Sequence, residues 1–114
     1  MIHPLSDVQS EQIGDGTHVW QFTVVLHGAV IGRDYNIGAN CFVESDVKIG
    51  DGVTIKNGVQ VWDQMVIGDG ASIGAGSVVT KDVPEFSLVY GSPTRVHGRI
   101  DEKGDIVERR KSGM

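Results

Sequence analysis

Of the side chains able to do chemistry, His27, Glu44, Asn57, Trp62 and Asp63 come first, because their spacing is close to periodic. Glu44 and Trp62 stand eighteen residues apart, and His27 precedes Glu44 by seventeen. A histidine beside a carboxylate could take the proton from an attacking group during acyl transfer, although a hydrogen bond across an interface would use the same atoms. Other chemistries find less support. No two histidines have metal-ligand spacing and Cys41 is the sole cysteine, so no metal centre is expected. No serine stands in a nucleophile-elbow context. Cys41 reads as a small buried residue rather than a nucleophile. His3 and His97 read as solvated, and His18 shares a column with Asn36, Thr54 and Ser72, a plain polar edge.

The element that must position these groups is a six-residue repeat. Ile13, Val19, Val25, Ile31, Ile37, Val43, Ile49, Ile55, Val61, Ile67, Ile73 and Val79 are β-branched aliphatics at that spacing. Four residues after each comes a small or β-branched residue, with Tyr35 and Met65 as exceptions. Three residues after each stands Gly, Asn or Asp, apart from Phe22 and Gln64. Those types tolerate a left-handed backbone. A period of six fits neither a helix nor one long alternating strand. It fits a short strand and a corner, repeated, as in an all-β, left-handed parallel β-helix of hexapeptide repeats. Three hexads close one triangular coil, so the run gives four coils, about 19 Å tall at strand spacing.

A chain of 114 residues makes a single β-helix domain: 1–12 as an N-terminal cap, 13–84 as the coils and 85–114 as a C-terminal strand, hairpin cap and tail. The hexad is expected to end at Pro84, with strands at 86–90 and 95–100, turns at 91–93 and 101–105, and a frayed end from Glu108 to Met114. So small a domain buries a narrow core, and a partner subunit is expected. A net charge of −5 without a basic run argues against nucleic acid and anionic membrane as main partners. No stretch is long enough to cross a membrane, and a cytoplasmic setting is the default.

Folding the sequence at eighteen residues sorts its faces. The Ile13 face carries Gly14, Gly32, Gly50 and Gly68 after its aliphatics and reads as a solvated structural face. The Val19 and Val25 faces carry Trp20, Gln21, Phe22, Leu26, His27, Asn40, Phe42, Glu44, Lys56, Asn57, Gln60, Trp62 and Asp63 outward. Large aromatics pointing away from a core make an interface or a ligand platform. Phe22, Phe42 and Leu26 suit a subunit interface better; Trp62, Asp63, Glu44 and Asn57 suit ligand contact.

The repeat resembles the left-handed β-helix acyltransferases. Val19-Trp-Gln-Phe22 and the run from Val43 to Asp63 resemble the dTDP-3-amino-3,6-dideoxyhexose 3-N-acetyltransferases, as do Ile73–Pro84 and Val89–Pro93. That resemblance implies a homotrimer with a site in each cleft between subunits, acetyl-CoA as co-substrate, and a nucleotide-sugar acceptor for surface polysaccharide. It implies backbone groups near Ala75 and Gly76 against the pantetheine, and Lys81 or Arg95 near the CoA phosphates. The sugar nucleotide would lie over Trp62, Asp63, Asn57, Asn40 and Glu44.

The chain departs from that family at one join. Val61-Trp-Asp-Gln64 runs straight into Met65-Val-Ile-Gly68, without about two coils and a long loop that the family places between them. Asn40 stands where relatives commonly carry histidine. A non-catalytic trimeric scaffold is therefore the alternative from another class. An ice-binding β-helix is disfavoured because no column repeats threonine.

Overall fold

The computed structural model describes residues 1–109. Each hexad aliphatic from Val19 to Val79 is buried at the second place of a two-residue strand. The strands stack in three parallel sheets. The Val25 sheet holds β1 (Asp7–Val8), β4 (Val24–Val25), β7 (Phe42–Val43), β10 (Gln60–Val61) and β13 (Val78–Val79). The Ile13 sheet holds β2 (Gln12–Ile13), β5 (Val30–Ile31), β8 (Lys48–Ile49) and β11 (Val66–Ile67). The Val19 sheet starts with β3 (His18–Val19), β6 (Asn36–Ile37), β9 (Thr54–Ile55) and β12 (Ser72–Ile73). Two residues bury too little to hold a strand alone, so each coil is held by its neighbours. Trp20 N–H donates to Ile37 C=O at 3.1 Å, and Leu26 N–H to Val43 C=O at 2.9 Å.

The corners explain the third place of the hexad. Gly16, Phe22, Gly28, Asp34, Asn40, Asp46, Gly52, Gly58, Gln64, Gly70 and Gly76 all have positive φ. Phe22 and Gln64, which by type do not favour this backbone, adopt it at φ 62° each. The fold imposes the corner whatever side chain is there, at a local cost of roughly 1–2 kcal/mol for a residue with Cβ.

Both ends slip the period without breaking the stack. Asp7 and Val8 pair with Val24 and Val25, while Gln12 and Ile13 pair with Val30 and Ile31, so one residue is missing between Val8 and Ile13. With Ile2 bridging Val19, residues 1–13 lay a further coil beneath the first. At the other end Val83 bridges Ile67 and Val89 pairs with Ile73, each sixteen residues on. Two residues are missing between Val79 and Val83. Val83 thus takes a strand place, Phe86 the corner at φ 53° and Ser87 the inward place. The hexad resumes beyond Pro84, where the sequence suggested its end, because ladder bonds fix register rather than strict spacing. Asp82 Oδ1 accepts from Val66 N–H at 2.9 Å, and Val83 N–H donates to Val66 C=O at 2.9 Å.

Within this coil, β14 (Ser87–Tyr90) joins the Val19 sheet. Antiparallel β15 (Arg95–Ile100) and β16 (Ile106–Arg109) extend it to seven strands. The strand expected at 86–90 starts at Ser87, because Phe86 takes the corner, and the strand at 95–100 and the turn at 101–105 are present. Of the segment expected to fray, Glu108 and Arg109 close β16, and 110–114 lie outside the described residues.

Candidate functional site

The candidate residues divide between two corners, one on either side of the Val25 sheet. Asn40, Asn57, Ala75 and Gly76 lie on the corner that leads into it. His27, Asp63 and Lys81 lie on the corner that leaves it, with Glu44 and Trp62 at its edge. No single chain brings all of them together.

On the Asn57 corner, Asn57 Oδ1 accepts from Ala39 N–H of the coil below at 2.9 Å. The same bond recurs on the Ile13 face, where Asp51 accepts from Arg33 N–H and Asp69 from Asp51 N–H, each at 2.8 Å. These side chains lie over Gly38, Gly32 and Gly50, at the place a Cβ there would occupy. The bond holds Asn57 and leaves its Nδ2 donors pointing out of the ladder. Beside it the corner tapers upward through Phe22, Asn40, Gly58 and Gly76. A Cβ on Gly76 would meet no atom within 4 Å, so this flank is open.

Trp20, Gln21, Asn36, Gly38, Ala39, Ile55, Lys56, Asn57 and Ala75 line a groove of about 820 Å³ beside that corner. Trp20 Nε1–H donates to Asn36 Oδ1 at 3.0 Å. This contact was missed in the sequence, although the two residues sit one coil apart on the same face.

On the other corner, Glu44 Oε1 accepts from Asp63 N–H at 3.3 Å, which joins two of the expected ligand contacts. His27 is exposed and lines a smaller pocket of about 330 Å³ with Gln9, Ser10, Glu11, Gln12 and Gly28. Its pocket thus draws on the N-terminal coil. Higher up, Lys81 and Arg95, fourteen residues apart in sequence, share a pocket of about 300 Å³ with Asp82, Pro84 and Thr94. The short last coil and β15 bring the two cations together.

Two further features bear on the site. His97, expected to be solvated, stacks on Tyr90 with ring centroids 3.6 Å apart and planes 8° from parallel. The antiparallel turn-back of the chain decides this contact, and hexad spacing gives no sign of it. Cys41 is 2 % exposed, its Sγ–H directed at Lys56 C=O at 3.1 Å, and burial pushes its thiol up from the ordinary range. It faces inward, as expected.

Comparison with known proteins places this geometry. The family described as bacterial transferase hexapeptide (six repeats) matches at residues 28–61 and 46–81. The dTDP-3-amino-3,6-dideoxy-alpha-D-galactopyranose 3-N-acetyltransferase of Aneurinibacillus thermoaerophilus is 54% identical over 28 residues, 25% of this chain and 15% of that protein. Mitochondrial serine acetyltransferase 3 of Arabidopsis thaliana is 40% identical over 89 residues, 78% of this chain and 22% of that one. The chain therefore spans less than a third of the curated relatives it matches first. Among solved structures, a hexapeptide-repeat-containing acetyltransferase from Vibrio cholerae superposes with a TM-score of 0.80 at 24% identity, over 89% of this chain and 70% of that one. The same enzyme complexed with acetyl-CoA gives 0.73 at 24% identity, over 87% and 62%. At that identity the likeness shows the fold, a left-handed β-helix.

Proposed function

Given that the chain belongs to the hexapeptide-repeat acyltransferase family, we propose that it moves an acetyl group from acetyl-CoA to the amine of a nucleotide-linked 3-amino-3,6-dideoxyhexose, as a homotrimer in the cytoplasm. The observation that carries the acceptor is the 54% identity to an N-acetyltransferase of that class, although it covers 28 residues. A free amine is itself a good nucleophile. It attacks the thioester carbonyl, the C–N bond forms, the C–S bond breaks, and the amine proton leaves through a base as the thiol of CoA departs. His27 is the candidate base, with Glu44 to hold the amine; Asn57 Nδ2 and backbone N–H groups would face the oxyanion. Ala75 and Gly76 offer an open backbone to the pantetheine. Lys81 and Arg95, which line one pocket, are the candidate cations for the CoA phosphates. Asn40, Trp62 and Asp63 remain contacts for the sugar nucleotide.

The split of these residues between two corners supports the trimer. Three prisms with their Val25 sheets facing a common axis would set the Asn57 corner of one copy against the Asp63 corner of the next. The test is thiol release from acetyl-CoA by the purified chain, with and without dTDP-3-amino-3,6-dideoxyhexoses. Release that depends on the sugar supports the reading. A folded trimer that binds acetyl-CoA but releases nothing would favour the non-catalytic scaffold.

A further inference from the structure

Two grooves flank Lys56 on the outer face of the Val19 sheet, and their lining differs in charge. Asp34, Asp51, Asp69, Asp101 and Glu102 crowd the one beneath the β15–β16 turn, about 540 Å³. The groove beside Trp20 has no carboxylate in its lining. A diphosphate-bearing substrate is repelled by the first and admitted by the second. In the second, Lys56 is the one charged group, and the other polar side chains are amides: Gln21, the Nδ2 of Asn36 and the Nδ2 of Asn57. Both asparagine oxygens are already committed, to Trp20 Nε1–H and Ala39 N–H, so their free ends are donors. An aromatic face with amide donors around it, and Lys56 two coils above it, suits a hydroxyl-bearing ring that carries a diphosphate. The apolar C–H face of the ring lies on the indole and its hydroxyls meet the amides.

Trp20 is well placed for this role. Its indole is fixed by the Asn36 bond yet remains 40% exposed. The next coil carries Gly38 at the equivalent position, and Gly38 keeps its Cβ place for Asn57. The wall above the ring therefore stays low until Lys56, two coils higher.

We propose that the hexose ring of the acceptor rests on Trp20 in this groove, and that Trp20 is a specificity-determining residue for the sugar. The inference rests on the amino-sugar reading and gives the sugar a platform separate from Trp62.

Calorimetric titration of the full chain with a dTDP-3-amino-3,6-dideoxyhexose, and separately with acetyl-CoA, tests it. Trp20→Leu, which keeps apolar bulk and loses the ring, is expected to weaken sugar-nucleotide binding about tenfold and leave acetyl-CoA binding unchanged. Trp20→Phe, which keeps a ring, should restore most of the loss and serves where the leucine variant fails to fold. Equal sugar affinity in wild type and Trp20→Leu overturns the inference, whether or not the wild type turns the sugar over. Equal loss for sugar and acetyl-CoA also overturns it, by showing a general structural role. A wild-type chain that binds acetyl-CoA but no sugar nucleotide removes the amino-sugar reading and this inference with it.

Discussion

At the scale of single residues, the interior of a narrow prism tolerates few departures from small aliphatics, and Tyr35 is the largest. It is 1% exposed, and its hydroxyl has no hydrogen-bond partner among the described residues. Tyr35→Phe is expected to raise stability by about 1 kcal/mol, read from the denaturant midpoint, because it removes a desolvated polar group and keeps the ring. Burial also pushes the Tyr35 phenol well up, with the nearby Cys41 charge adding to the effect. Both groups lose their protons less readily folded than unfolded. The unfolded chain therefore binds fewer protons above the ordinary thiol range, and stability falls as pH rises there. Equilibrium unfolding at a series of alkaline pH values should show that slope reduced in Cys41→Ala. In the native state Cys41 should resist thiol reagents and react only on unfolding. At the corners, Gln64→Gly should stabilise by about 0.5–1 kcal/mol, since relief of the left-handed backbone outweighs the extra entropy of glycine in the unfolded chain.

At the scale of elements, the ladder of Asp and Asn side chains over glycines explains which glycines the coils need. A Cβ on Gly50 would meet Asp69 N at 2.8 Å, whereas one on Gly76 meets nothing within 4 Å and only its φ of +71° is strained. Gly50→Ala is expected to cost about 2–3 kcal/mol and Gly76→Ala about 1 kcal/mol, measured side by side by chemical denaturation. If Gly50→Ala proved as mild as Gly76→Ala, the close approach would not be what keeps glycine there. The slips at Val8–Ile13 and Val79–Val83 belong to this scale too. Each shortens a connection and leaves the ladder intact, which is why the coil count exceeds what an unbroken period reveals.

At the scale of the molecule, Phe22, Phe42 and Trp62 are 59%, 41% and 48% exposed around the Val25 sheet, a large apolar area for a lone subunit of this size. If the proposed trimer forms through this sheet, Phe42→Glu, in its middle, should give monomers in sedimentation while the β-sheet circular dichroism persists. A wild type that sediments as a monomer at micromolar concentration would contradict the assembly.

The sequence by itself determined the coil. Twelve aliphatics in phase can be buried together only by strands that stack at eighteen residues, so the interior columns, the inward place of Cys41 and the corner positions all follow from spacing. It also picked out Asn57, Glu44 and Asp63 as outward polar groups. Only the tertiary structure decided what those groups do. That Asn57 Oδ1 caps a backbone N–H and that Glu44 meets Asp63 N–H depend on side-chain directions across coils. The pocket shared by Lys81 and Arg95, the Tyr90–His97 stack and the return of the hexad at Val83 arise where the period slips or the chain turns back. Periodicity carries no information at such points, because hydrogen-bond register and the path of the hairpin, rather than residue spacing, then set which groups meet.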